Sequence, residues 1–391
     1  MTTGRGDRRA DVIVVGLGAM GSATCRALSG RGISVIGIDR YAPPHAYGST
    51  HGDTRITRLA IGEGCDYVPL VRRSHDLWRE IERESGARLL TQTGGLVLAR
   101  RANPFLVRTR ALARESGIAH ENLSGAALEV RFPMFAADAQ TEGYYEPTAG
   151  YVRPEAAVAA QLALAQRHGV ELRPGERVAR WSAGAGGVTV HTTAETYHAE
   201  RLVLCVGPWI EELFPEGRDL FAVHRQLLYW FPIRDGYDRL RRMPVFIWVF
   251  ADETADFEHF GGFYGFPALD GPAGGIKVGT ESYEGTTTPD HIQPPPSRRE
   301  IDEMHRRYLA AHLPCLGSEP VRMATCFYTN TRHSRFVIDR HPEHESVLIV
   351  SACSGHGFKH SPAIGEAIAQ WITRGTSELD LTPFTLSRAR R

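Results

Sequence analysis

The residues best suited to chemistry begin with Gly16, Gly18 and Gly21, spaced Gly-x-Gly-x-x-Gly between the apolar run Asp11-Val-Ile-Val-Val and a helical pattern. Glycines at that spacing let the backbone double back and let a diphosphate approach the N-terminus of the next helix. A second apolar strand, Val35-Ile-Gly-Ile, ends at Asp39, about 20 residues on, where a carboxylate can accept both hydroxyls of an adenosine ribose. The acid argues against a phosphorylated ribose, so FAD or NAD is favoured over NADP. The motif does not choose between those two.

Arg55 and Arg58 stand in the glycine- and proline-bearing segment that follows Asp39, which reads as an extended loop. They are either a solvated, salt-bridged pair or an anion site, because ligands lie in loops at the carboxyl end of a nucleotide-binding sheet. Near the C-terminus, the strand Val347-Leu-Ile-Val350 leads through Ser354-Gly-His-Gly-Phe-Lys359 to Ser361-Pro362. That pattern predicts Ser361 as N-cap and Pro362 at the first helical position, and the positive helix end can stabilise anionic charge on a ligand. Metal chemistry finds no support. The six cysteines include no Cys-x-x-Cys pair, and the proline inside His341-Pro-Glu-His344 spoils the helix that would align its rings. Buried thiols are the expected state of most cysteines.

The elements that must position these residues alternate strand and helix at both ends of the chain. Apolar spacing predicts helices over 67–84, 104–117 and 155–168, and a helix running from Ser361 to about Thr373. Short strands are expected after Gly94-Gly95 and over 170–172, 178–181, 188–192 and 202–206. The last of these stops at Gly207, where a backbone can pass close to a cofactor or simply turn. From about Leu213 to Pro320, aromatic strand-like runs alternate with polar turns, and Pro294-Pro-Pro296 precedes a helix over 297–312. This middle portion reads as a largely antiparallel domain inserted into the nucleotide-binding one.

Composition narrows the partners. Across 391 residues Lys plus Arg equal Asp plus Glu, which gives no field for nucleic acid or an anionic membrane. No apolar run approaches the ~20 residues needed to span a bilayer, and a short charged lead precedes the first strand. A cytoplasmic protein acting on small molecules, without nucleic-acid or membrane partners, is the expectation.

Over nearly its whole length the chain resembles the monomeric sarcosine oxidase and N-methyltryptophan oxidase family, flavoenzymes of the D-amino-acid-oxidase structural class. The resemblance rests on Pro43-Pro-His-Ala-Tyr-Gly-Ser-Thr-His51-Gly-Asp-Thr-Arg55-Ile-Thr-Arg58, Gly62-Glu-Gly, Tyr67-Val-Pro-Leu, Tyr264-Gly-Phe-Pro, Ile276-Lys277-Val-Gly, Cys326-Phe-Tyr328, Phe336-Val-Ile-Asp339, His341-Pro-Glu-His344 and Ser354-Gly-His-Gly-Phe-Lys359. It implies an α/β fold in which a discontinuous, Rossmann-like FAD-binding domain (1–95, 145–212 and 321–391) carries an inserted, largely antiparallel α+β substrate domain (96–144 and 213–320). It also resolves the cofactor as FAD, joined covalently through its 8α carbon to Cys326. The implied cofactor contacts are Gly16, Gly18, Gly21, Asp39, Val178, Gly207, Cys326, Gly355 and Gly357.

The resemblance further implies that Arg58 and Lys359 clamp the substrate carboxylate, orienting the carbon that reacts. Arg55 lies close to the flavin, Tyr264 and Tyr328 line the substrate cavity, and Lys277 faces oxygen, although an isolated strand lysine is ordinarily solvated. The implied reaction is oxidation of a secondary amino acid, N-methyl or cyclic. A hydride passes from the carbon beside nitrogen to flavin N5, the imine is hydrolysed, and O2 becomes hydrogen peroxide; a monomer is expected. Two other readings compete: a flavin dehydrogenase using another electron acceptor, and a non-catalytic dinucleotide-binding module.

Departures from the family pattern concern specificity. Glu281 stands where the relatives carry an active-site histidine, the stretch from Tyr264 to Lys277 is slightly longer, and Thr50 and Leu59 replace common histidines. A carboxylate there would oppose deprotonation of the amine or bind a cationic or hydroxyl group, and Glu281 is expected to recognise a polar side chain absent from sarcosine; the plain alternative is that it pairs with Lys277 or faces solvent.

Overall fold

The computed structural model describes residues 8–250, 261–283, 285–291 and 294–390. The charged lead before the first strand falls in 1–7 and lies outside the described residues.

The continuous apolar run Val12-Ile-Val-Val15 makes the end of Arg8–Val15 a strand buried on both faces. Val12 and Val14 pack among the residues of four helices, while Ile13 and Val15 enter a separate cluster with Trp209, Ile210 and Phe214. Its neighbours Val35–Asp39 and Thr196–Leu204 run parallel to it, and Glu171–Pro174 continues the sheet parallel to Val35–Asp39. Thr196–Leu204 changes partner along its length. Its first half pairs antiparallel with Gly187–Thr192, which in turn pairs with Val178–Gly184; its last residues pair parallel with Val347–Ser351. Distant parts of the chain thus meet in one eight-stranded sheet.

The helices Ala19–Leu28, Pro154–Arg167 and Ser361–Arg374 cover one face of this sheet. Ala19–Leu28 and Ser361–Arg374 approach so closely that a Cβ on Gly365 would lie 2.5 Å from the Ala23 backbone. The last helix corrects one expectation. Phe358–His360 forms a 3₁₀ turn that runs straight into it, so Ser361 already has helical backbone and is not the N-cap, and His360 occupies the capping position.

The second eight-stranded sheet has the order Arg322–Thr331, Phe221–Phe231, Ile276–Gly279, Gly262–Gly265, Val245–Val249, Gly95–Arg100, Thr141–Glu146, Glu121–Leu123. Neighbours are antiparallel except Val245–Val249 and Gly95–Arg100. Its membership differs from the expected boundaries. Arg322–Thr331 pairs along its whole length with Phe221–Phe231, from Phe221↔Thr331 to Trp230↔Arg322, so the strand bearing Cys326 and Tyr328 belongs to this sheet and not to the nucleotide-binding one. Thr141–Glu146 likewise spans the boundary drawn at 144/145. Between the large sheets, Arg55–Thr57, Gly150–Val152 and Leu90–Gln92 form a small antiparallel one. Among the described residues no helix is long and apolar enough to cross a membrane, and no group of three or more His, Cys, Asp or Glu could hold a metal ion.

Candidate active site

At the C-terminal end of Arg8–Val15 the backbone turns at Gly16, whose φ of +86° is costly for any residue with a side chain. A Cβ there would lie 2.4 Å from the Cys205 carbonyl oxygen, and one on Gly21 would lie 1.7 Å from the Gly16 carbonyl oxygen. Gly21 therefore seats the helix on the turn and does not itself line the cavity, whereas Gly16 and Gly18 do. Gly18 is the N-cap of Ala19–Leu28, and no side-chain hydrogen bond caps that helix end. Asp39 fastens the turn as well as facing the cavity: its oxygens accept from the Leu17 N–H at 2.7 Å and the Tyr41 N–H at 2.8 Å. Each oxygen retains a further lone pair. Val178 and Gly207 line the same space.

This cavity, about 290 Å³, continues from the glycine turn to the second sheet, where Arg55, Arg58, Tyr264, Glu281, Tyr328, Gly355, Gly357 and Lys359 line it. The small sheet supplies Arg55 and the loop after it supplies Arg58; the second large sheet supplies both tyrosines, and the 3₁₀ turn Phe358–His360 supplies Lys359. Arg58 and Lys359 are buried. The Lys359 ammonium donates to the His356 carbonyl at 2.7 Å. Burial pulls its pKa down to about 8, against the opposing pull of Glu63.

Glu63 was not singled out by sequence, although it sits in the quoted Gly62-Glu-Gly. Its oxygens accept from one Arg58 nitrogen at 3.0 and 2.7 Å. Burial opposes its ionisation, but Arg58, His356 and Lys359 outweigh that and hold the carboxyl at about 2. The cation pair thus carries a resident counter-charge. The only sequence signal was an acid five residues after an arginine in a loop.

Glu281 neither pairs with Lys277 nor points to open solvent. Its Oε2 accepts from the Tyr283 hydroxyl at 2.6 Å, and its Oε1 lies 3.3 Å from where a Cβ on Gly355 would sit, beside the Tyr328 ring. Burial raises its pKa to about 7, with Tyr283, Lys359 and Arg58 pulling the other way. Tyr283 lines the cavity and had no expected role. Of the two histidine replacements, Thr50 lines the cavity and Leu59 packs among apolar residues.

Lys277 and Cys326 are buried just behind the lining. The Lys277 ammonium donates to the carbonyls of Gly52 and Thr54 and to the Thr54 hydroxyl, and lies 4.7 Å from the Phe266 ring centroid. Burial and Arg55 depress its pKa. Arg55 donates to the Ser49 carbonyl at 2.7 Å and approaches the Cys326 sulfur at 3.6 Å. Burial alone would raise the Cys326 thiol, but His51, Arg55 and Lys277 bring it down to about 7.

These residues fit FAD. The glycine turn and uncapped helix end suit a diphosphate, Asp39 offers acceptors to a ribose, and the buried Ser49 hydroxyl beside Arg55 has no partner of its own.

Comparison with known proteins agrees with that chemistry. Residues 11–371 match the FAD dependent oxidoreductase family. The chain is 38% identical to the monomeric sarcosine oxidase of Streptomyces avermitilis, covering 94% of each. It is 32% identical to the N-methyl-L-tryptophan oxidase of Salmonella enteritidis, covering 97% of this chain and 98% of that one. Among solved structures, the open form of NikD, an unusual amino acid oxidase essential for nikkomycin biosynthesis, superposes with a TM-score of 0.83 at 25% identity over 97% of both chains. The chain belongs to the FAD-dependent oxidoreductases, in the family of the monomeric sarcosine and N-methyltryptophan oxidases, and is an amine oxidoreductase.

Proposed function

We propose that the protein oxidises a secondary amino acid, N-methylated or cyclic, and passes the electrons to O2 as hydrogen peroxide. The observation that carries this reading is the buried pair Arg58 and Lys359, lining the same cavity as the dinucleotide turn. Two buried cations lining one cavity select a carboxylate and hold the neighbouring carbon at a set orientation. The relatives' names, sarcosine oxidase and N-methyl-L-tryptophan oxidase, both describe N-methyl amino acids.

Bound FAD supplies the hydride acceptor and the route of electrons to oxygen. The chain's own residues bind and orient the substrate. Arg58 shares its charge between Glu63 and the incoming carboxylate, Lys359 takes the second oxygen, and Tyr264 and Tyr328 wall the reacting end. Lys277, gripped by three oxygens, is a preorganised charge for the anion that forms as oxygen takes up its first electron. Cys326 is the proposed point of covalent attachment through the flavin 8α carbon. A thiol brought down to about 7 by His51, Arg55 and Lys277 is substantially a thiolate, the nucleophilic form. The name of the Streptomyces relative, monomeric sarcosine oxidase, supports a monomer.

A peroxide-release screen over N-methyl amino acids, proline, pipecolate and primary amino acids tests the proposal. Turnover is expected with one or more secondary amino acids and not with primary ones. Peroxide formation from primary amino acids alone would overturn it.

A further inference from the structure

An amine gives up a hydride from the adjacent carbon only when its nitrogen lone pair is free, whereas a secondary ammonium is mostly protonated at neutral pH. Something must take that proton inside the cavity. We infer that Glu281, held by Tyr283, is the catalytic residue that receives the substrate ammonium and removes its proton. This inference rests on the proposed amino-acid substrate.

Three observations converge on it. First, Glu281 lines the cavity beside the carboxylate clamp, within electrostatic reach of both Arg58 and Lys359. The nitrogen of an α-amino acid is bonded to the carbon that carries the carboxylate, so a group this close to both clamp cations is close to the amine. Second, only one Glu281 oxygen is engaged. Oε2 accepts from Tyr283 at 2.6 Å, while no donor and no ion-pair partner among the described residues reaches Oε1, which lies on the Gly355 and Tyr328 side. Glu281 is half-buried and lines the cavity, so its unengaged oxygen is open to a donor that a ligand brings there. Third, the environment balances the group between its two protonation states. Burial, Glu63 and the buried hydroxyls of Tyr264 and Tyr328 surround it, Tyr283, Arg58 and Lys359 favour its charge, and its pKa stands at about 7. A proton acceptor works best with a pKa near the working pH.

The step balances within the cavity. The N–H bond of the ammonium breaks, its electron pair stays on nitrogen as the lone pair, and an O–H bond forms at Oε1. The opposite pull, by which a nearby anion stabilises an ammonium, ends once that anion has taken the proton. The proton later passes from Glu281 to solvent, which restores the carboxylate for the next substrate.

The test uses the flavin-loaded protein and two ligands that differ in one group, N,N-dimethylglycine and its carbon isostere 3-methylbutanoate. Binding is followed anaerobically from the flavin spectrum between pH 6 and 9. Wild type should prefer the amine by ~10-fold or more above pH 7, where Glu281 is ionised, and lose that preference below it. Glu281→Gln should abolish the preference while changing 3-methylbutanoate affinity less than ~3-fold. Tyr283→Phe, which keeps the carboxyl but removes its donor, should move the onset of the preference upward by ~1 pH unit. Anaerobic flavin reduction by the fastest substrate of the peroxide screen should lose its limb near pH 7 in Glu281→Gln and follow the free ammonium instead. An unchanged amine preference together with an unchanged reduction profile in Glu281→Gln would overturn the inference. If neither ligand binds wild type, the amino-acid reading itself fails and takes the inference with it.

Discussion

Replacing Glu63 with glutamine removes one charge and almost no volume, so it isolates the electrostatics of the clamp. In the free protein the Arg58 and Glu63 side chains are 5% and 17% exposed, with Glu63 oxygens 3.0 and 2.7 Å from one Arg58 nitrogen. Burial disfavours the carboxylate, yet Arg58, His356 and Lys359 draw its pKa from 4.5 to about 2. A depression of that size, at ~1.4 kcal/mol per unit, corresponds to ~3 kcal/mol of folding stability. The folded-state pKa is depressed, so the contribution is fully present above the unfolded value and is lost as pH falls through about 2.

In urea titrations Glu63→Gln should therefore unfold more easily than the parent by ~3 kcal/mol at pH 7, with the gap narrowing below the unfolded carboxyl pKa. A carboxylate ligand restores the lost negative charge beside Arg58 and Lys359. 3-Methylbutanoate should consequently bind Glu63→Gln ~10-fold more tightly and recover about half of the lost stability at saturation. Parent-like stability at pH 7, or weaker binding of 3-methylbutanoate, would refute the reasoning.

Three other perturbations separate the remaining roles. Wild-type protein precipitated in acid should keep its yellow colour in the pellet, and Cys326→Ala should release it to the supernatant; colour in the supernatant of both contradicts covalent attachment. Lys277→Met should slow reoxidation by O2 by ~100-fold or more while changing anaerobic reduction less than ~3-fold, and equal loss in both steps would place Lys277 on the substrate side. Gly21→Val should yield colourless or insoluble protein, because its Cβ would meet the Gly16 carbonyl oxygen at 1.7 Å; parent-like FAD content would contradict the packing argument.

The nucleotide end of the molecule was legible because its constraints are local. A residue with φ of +86° against the Cys205 carbonyl must be Gly16, and a continuous apolar run such as Val12-Ile-Val-Val15 is buried on both faces, so strand, turn and Asp39 could be read in order. Arg322–Thr331 falls within 321–391, expected in the FAD-binding domain, yet it pairs with Phe221–Phe231; its residues, Met-Ala-Thr-Cys-Phe-Tyr-Thr-Asn, carry strand propensity but no information about which partner they pair with. Long-range register decides that, and it places Cys326 beside Arg55. Ser361 had the right residue type for a cap, but the preceding 3₁₀ turn Phe358–His360 moved the helix entrance. Glu63 and Tyr283 went unassigned because each acts through a partner that only folding supplies: Arg58, five residues off in a loop, and Glu281, which in an extended chain lies on the same side but has no reason to be buried.

The central claim is that a carboxylate clamp delivers an amine to the flavin, and it is tested by mixing anaerobic enzyme with an acid and with its decarboxylated counterpart, sarcosine against dimethylamine or proline against pyrrolidine. The acid that turns over in the peroxide screen should bleach the flavin, and its counterpart should do so at least ~100-fold more slowly. Equal rates for the two, or no bleaching by any secondary amino acid, would contradict the account.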